Sequence, residues 1–261
     1  MLRYKSVITK KMIKAARAGG FVVQKYFGKG LQSVQKSTAS DFFTKADIGS
    51  ERAIISILEK EFPDYNIFSE ECGLINKKSS YTFTIDPLDG TNNFVIGIPN
   101  FSVAIALQEN NITTHSVVYQ PFLKQMYCAE INHGAYLGSK KLSVNSVHDI
   151  NHATVAYSCS YGVAYSREIV VVKQMRGIKI KRFLSCWSPA FDFCLLASGK
   201  IEAVVSDHNN KYDYLAGRLI AKEAGALVVD FKGDKLINEN VPTFIACNNK
   251  IIQRALVNVL S

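Results

Sequence analysis

This chain lacks the residue patterns of several common chemistries. None of its six cysteines, at 72, 128, 159, 186, 194 and 247, forms a CxxC pair or has a closely grouped His partner, so neither a zinc site nor a disulfide framework is indicated. The five histidines, at 115, 133, 148, 152 and 208, share no ligand spacing. There is no GxxxxGK[ST] loop, no HExxH and no GxSxG elbow, which removes P-loop, zinc-protease and α/β-hydrolase chemistry. Apolar runs such as Val103 to Leu107 fall far short of the roughly 20 residues that a bilayer crossing needs. Lys10, Lys11, Lys14 and Arg17 interrupt any apolar signal-peptide core. A reducing cytoplasm is the expected compartment, with no membrane partner.

Acidic residues are missing from one end. Residues 1–40 carry nine Lys or Arg and no Asp or Glu, so the net charge of +9 resides in that arm. Such an arm attracts anions such as RNA, yet this one lacks the interleaved stacking aromatics of a nucleic-acid platform. Val7, Ile8, Met12, Ala15, Ala16, Gly19, Val22, Val23 and Tyr26 keep to one helical face, which predicts a folded first helix with a solvated basic side.

What is present suffices for a large core: 261 residues, 48% of them hydrophobic. KSTASDFF reads as a polar loop, and Thr44-Lys45-Ala46-Asp47 opens a helix that ends before Pro63. Strand-like runs follow at Tyr81–Ile85, Phe101–Gln108, Thr114–Tyr119 and Gln125–Glu130, with short links that suit an antiparallel sheet. From about residue 150 strands alternate with helices. The expected division is an N-terminal α+β half over 1–149, carrying the acidic motif, and a C-terminal α/β half over 150–261 that completes a shared cleft.

The stretch TIDPLDGTNNF, Thr84 to Phe94, concentrates the chemistry. Asp86 and Asp89 stand at the end of a strand with Pro87 fixing the backbone between them. Carboxylates so close repel unless cations neutralise them, and hard divalent ions suit an all-oxygen donor set. Gly90 permits close backbone approach, and the N–H groups that follow can face a phosphate. Glu70 and Glu71, ending NIFSEE, and Asp213, in NKYDYLAG, are further acids in suggestive positions. Each alone has a plain reading: Asp213 as a helix cap, Asp47 as the acid of a capping box with Thr44.

The order TKAD, SEE, DPLDGTNNF, SPAFDFCLLASGKIEAVVSD, YDYLAGRLIAKEAGALVVD resembles the inositol monophosphatase family of metal-dependent phosphatases over nearly the whole chain, DPLDGT being its most specific part. The resemblance implies a layered αβαβα sandwich, usually a homodimer. It also implies lithium-sensitive hydrolysis of a small phosphorylated metabolite, foremost an inositol monophosphate, with two or three Mg2+. Carried over position by position, Glu70, Asp86 and the Leu88 carbonyl would hold one ion, with Asp86, Asp89 and Asp213 holding another. Asp47, Glu71 and Thr91 would be the catalytic group, Thr91 orienting a water. The substrate would meet Leu88, Asp89, Gly90, Thr91, Trp187, Ser188, Pro189, Ser206, Asp207 and Asp213.

The sequence departs from the family pattern at the alcohol end. The acid that many relatives carry seven residues before the last metal-binding Asp is Ser206 here, with Asp207 one residue late; Tyr212 replaces a Trp, and Trp187 stands where relatives often have Gly. Histidinol phosphate, a 3′-phosphoadenosine 5′-phosphate nucleotide, NADP and fructose 1,6-bisphosphate are therefore alternative substrates. Some bacterial relatives bind RNA polymerase or join RNA-processing complexes, which the basic arm keeps open.

Overall fold

The computed structural model describes residues 6–30, 32–37, 41–161 and 165–261. Ser6 starts the first helix, its hydroxyl accepting from the Thr9 amide at 3.1 Å. That helix, α1 (Val7–Tyr26), buries Met12, Ala15, Ala16, Gly19 and Val23. Val7, placed by its spacing on the apolar face, is exposed because burial along α1 begins only at Thr9. The expected polar loop follows β1 (Ser33–Gln35) and runs into β2 (Phe42–Thr44), the two strands forming a ribbon; residues 38–40 of the loop lie outside the described residues. Thr44 and Asp47 form the capping box of α2 (Lys45–Glu61), and α1 packs along α2.

An eight-stranded sheet follows: β3 (Asn66–Ser69), β4 (Gly73–Ile75), β5 (Tyr81–Asp89), β6 (Ser102–Glu109), β7 (Ile112–Gln120), β8 (Gln125–Glu130), β9 (Gly134–Leu137) and β10 (Lys140–Lys141). Its order is β10-β9-β8-β7-β6-β5-β3-β4, and all neighbours are antiparallel except β3 and β5, which run parallel. Between β5 and β6 lies the five-residue α3 (Thr91–Val95).

The rest of the chain builds β11 (Thr154–Cys159), α4 (Tyr165–Gly177), β12 (Arg182–Leu184), α5 (Pro189–Ala197), β13 (Ala203–Asp207), α6 (Lys211–Glu223), β14 (Leu227–Val229), β15 (Phe244–Cys247) and α7 (Lys250–Leu260). Its five strands are ordered β12-β11-β13-β15-β14; β12, β11 and β13 are parallel, while β15 opposes both neighbours.

Three cores stack in sequence. One joins α1 and α2 to the large sheet through Met12, Ile54, Phe83 and Ile105. A second, with Phe193, Leu215, Leu219 and Phe244, places α5 and α6 between the two sheets. The third sets α4 and α7 on the outer face of the small sheet through Val171, Met175, Ile252 and Leu256. The molecule is thus the layered αβαβα sandwich that the sequence resemblance implies. No helix among the described residues is long and apolar enough to cross a membrane.

The central helix α6 contains a buried charge. Arg218 is 2% exposed, its guanidinium lies 4.8 and 4.9 Å from the Tyr214 and Phe244 rings, and its Nη2 donates to Glu239 Oε2 at 3.0 Å. Burial alone would raise the Glu239 carboxyl; the Arg218 charge and the Lys222 bond overcome this and hold it below its ordinary 4.5. That contribution to stability is present above the unfolded value and is lost as pH falls below 4.5 through the depressed folded value. Glu239→Ala strips Arg218 of its counter-charge and should cost about 3 kcal/mol. Urea unfolding at neutral pH measures this loss, and the gap from wild type should narrow in acid.

Candidate active site

The candidate site lies where the C-terminal ends of β3 and β5 meet the start of α6. A cavity of about 550 Å³ is lined there by Glu70, Asp86, Leu88, Asp89, Gly90, Thr91, Trp187, Pro189 and Asp213, among others. Strand β5 continues past Ile85 through Asp89, with a register break between Asp86 and Asp89. The break lets two acids and the residues between them address one place instead of alternate faces. Asp86 Oδ1 accepts from the Leu88 amide at 3.0 Å, tightening that turn, and Ser50 Oγ holds the Pro87 carbonyl at 2.7 Å.

Gly90 has φ of 93°, and a Cβ there would lie 2.9 Å from the Asn100 carbonyl oxygen and 3.1 Å from that of Trp187. The position therefore requires glycine, both for its left-handed backbone and for the close approach of the 186–188 segment. Asn93 fastens the same segment, donating to the Asn100 and Cys186 carbonyls, each at 2.7 Å.

Asp89 is buried and heavily bonded. It accepts from Ser102 Oγ at 2.7 Å, Ser188 Oγ at 2.6 Å, and the Ala190 and Phe191 amides at 3.4 and 3.3 Å, so a carboxylate from β5 caps α5. Burial pushes it up to about 6, against the pull of these donors. Asp86 and Asp213 rise well above the usual carboxylate range, first through burial and then through the charges of Glu70 and of each other's neighbours. Asp213 also accepts from the Asn210 amide at 2.8 Å, so it is both a helix cap and a cavity wall.

The Thr91 hydroxyl lies 2.9 Å from Asp47 Oδ1 and 2.9 Å from the Leu88 carbonyl. Asp47 receives two further bonds from Thr44, and it is raised by burial despite them. Glu71 does not line the cavity among the described residues, and it is pushed up to about 7 by burial and the Glu70 charge. Lys36, which the sequence reading did not single out, lies 2.9 Å from Glu70 and 2.5 Å from Glu71. Among the described residues it is the one basic side chain paired with these acids, and their pull outweighs its own burial to raise its affinity for a proton.

The donors available to a metal, four carboxylates and the Leu88 carbonyl, are all oxygen, which fits a hard divalent ion. Buried acids that raise one another also fit a site that needs added positive charge. As they stand, no three His, Cys, Asp or Glu side chains among the described residues are gathered tightly enough to hold an ion.

The substrate strip divides in two. Trp187 and Pro189 line the cavity, whereas Ser188 is turned to Asp89. Ser206 and Asp207 do not line it among the described residues, and both are fully buried on β13. Ser206 Oγ bonds to the Pro242 carbonyl at 3.0 Å, and Asp207 takes Arg167 Nε and Nη2 at 2.7 and 3.1 Å with His208 Nδ1 at 2.6 Å. The sequence reading placed these two residues against the alcohol. A strand covered on both faces leaves neither side chain free to turn there. Glu168, Asn209, Ser158 and Tyr161, which carried no motif, line the cavity. Tyr212 stacks on Phe68, with ring centroids 6.2 Å apart.

Gly90→Ala combines strain with two backbone clashes and should destabilise the protein by at least about 2 kcal/mol. A melting temperature equal to wild type would show that the 186–188 segment does not press on this turn.

A family model described as the inositol monophosphatase family matches residues 5–261. Nus factor SuhB of Pasteurella multocida is 36% identical over 227 residues, covering 85% of this chain and 84% of its own. That of Haemophilus influenzae is 34% identical, covering 94% and 92%. Among solved structures, extragenic suppressor protein suhB from Bartonella henselae superposes with a TM-score of 0.90 at 27% identity, covering 98% and 99%. An IMPase from Thermotoga maritima gives 0.86 at 29%, covering 95% and 94%. Family model, sequence relatives and fold agree over nearly the full length, and the chain belongs to the inositol monophosphatase family.

Proposed function

We propose that this protein is a magnesium-dependent phosphomonoesterase acting on small phosphorylated metabolites. One observation carries the reading: Glu70, Asp86, Leu88, Asp89, Gly90, Thr91 and Asp213, drawn from three separated segments, line a single cavity. Glu70, Asp86, the Leu88 carbonyl, Asp89 and Asp213 would hold the ions. Magnesium, when bound, supplies Lewis acidity toward the phosphate oxygens and neutralises the crowded carboxylates.

The chain's own residues then have defined tasks. The Gly90 and Thr91 amides would bind phosphate oxygens beside the left-handed turn. Thr91 has one hydroxyl proton and two acceptors 2.9 Å away, Asp47 Oδ1 and the Leu88 carbonyl. With that proton held, its lone pairs face the cavity and can orient an attacking water by accepting from it. Asp47, locked by Thr44, fixes the hydroxyl, and Glu71, paired with Lys36, would support the group from outside the cavity lining. No side chain need be phosphorylated, because water itself can attack in line.

Phosphate release from glycerol 2-phosphate in the presence of magnesium tests this directly. Asp213→Asn keeps an oxygen that can accept from Asn210 but loses a charge, and should slow turnover roughly 100-fold or more. Activity indifferent to a chelator would overturn the assignment.

A second reading rests on the relatives named as Nus factors: a role as a binding partner in a transcription complex. The basic arm is its natural contact, but Lys11 pairs with Glu61 at 2.7 Å, and Lys14 lies 3.9 Å from the same acid. Direct RNA binding through α1 should therefore be weak at physiological salt. Submicromolar binding abolished by neutralising Lys10, Lys11 and Lys14 would reverse that expectation.

A further inference from the structure

The cavity is lined by an acid that lies outside the set that would hold metal. Glu168, in the first turn of α4, lines the cavity, is half-buried, and has no hydrogen bond or ion pair among the described residues. Its chain neighbour Arg167 is turned away, gripping Asp207 through two nitrogens. No lysine or arginine lines the cavity among the described residues. Glu168 stands apart from the metal-site acids: its charge acts on the Cys159 thiol, at the end of β11.

Of the four aromatic residues that line this cavity among the described residues, two are exposed, Trp187 and Tyr161. Trp187, the chain's only tryptophan, is 57% exposed and held at φ of 53°, a backbone that L residues with a large side chain seldom adopt. Tyr161 is 50% exposed, its hydroxyl accepting from Asn92 Nδ2 at 2.7 Å. Exposure and strain at a large aromatic are costs that packing does not explain. A carboxylate lacking a cation, in a cavity shared with exposed aromatic rings, is the chemistry that receives an ammonium group.

Resting on the phosphatase reading above, we propose that the alcohol end of this cleft selects phosphate monoesters whose alcohol carries a positive charge. Glu168 supplies the counter-charge, and Trp187 and Tyr161 supply the aromatic walls. Phosphate is held at the DPLDGT turn, and the cationic group is held at α4. The position from which relatives present an acid to the alcohol is sealed here, because Ser206 is fully buried and bonded to Pro242.

Choline phosphate and 3,3-dimethylbutyl phosphate differ only in a quaternary nitrogen replaced by carbon, so their ratio isolates the charge. With magnesium present, kcat/KM should favour choline phosphate roughly tenfold or more, the worth of one charge-assisted contact with aromatic support. Glu168→Gln should reduce that ratio to within about threefold of unity. Calorimetric binding of the two esters should show the same preference and the same loss. Equal handling of both esters by wild type, or a preference untouched in Glu168→Gln, would overturn the proposal. Failure of the phosphatase reading looks different: neither ester is turned over, while a preference in binding that depends on Glu168 would still support the cation site.

Discussion

The carboxylate of Asp89 is the joint on which the two sheets depend. It belongs to the large sheet through β5 and yet terminates α5 of the layer between the sheets, taking two amides and two hydroxyls. A carboxylate buried in its charged form costs far less with such a complement of donors. Once it is bound this way, the 186–188 segment is fixed against Gly90, and Asn93 closes the same contact from the other side. The cavity floor and the substrate strip are therefore set by one interaction, without a rigid linker between the halves.

Crowding of negative charge is the second consequence of that geometry. Burial raises Asp86, Asp89 and Asp213, and the charges of Glu70 and Asp89 raise Asp86 and Asp213 further. Lys36 pairs directly with the outer acids, Glu70 and Glu71, and acts on Asp213 only from a distance. A single ammonium with three donors cannot serve four or five carboxylates from one side. The energetic logic of the inner acids thus points to added divalent charge, the same requirement that their oxygen chemistry suggests.

Much of the fold was legible in the sequence because its signals are local. The Thr44 capping box, the end of α2 before Pro63 and the alternation of strands and helices after residue 150 all reflect short-range rules. The small elements β4, β9 and β10 carry only two to four residues each, too few for periodicity to register. Strand β15 and helix α7 were not anticipated, although the pattern of α7 buries Ile252 and Leu256 at helical spacing. The parallel pairing of β3 with β5 could not be read from short links, since β4 turns out to the sheet edge between them.

The candidate site divides along the same line between local and long-range information. The acidic turn is written in consecutive residues, because a bulged strand and a left-handed glycine bring Asp86 through Thr91 to one wall. The lining from Tyr157 through Tyr161 carries no motif that marks it in the sequence. Ser206 and Asp207 look available by count, but β13 is the middle strand of its sheet, with β11 on one side and β15 on the other, and side chains on both faces are covered. Asp207 then needs a counter-charge, and Arg167 supplies it from α4. Engaging Arg167 leaves the residue that follows it in α4, Glu168, without a basic neighbour to neutralise it on the cavity side among the described residues. One ion pair, made to hold a strand in place, thus leaves an uncompensated acid facing the cavity from a helix.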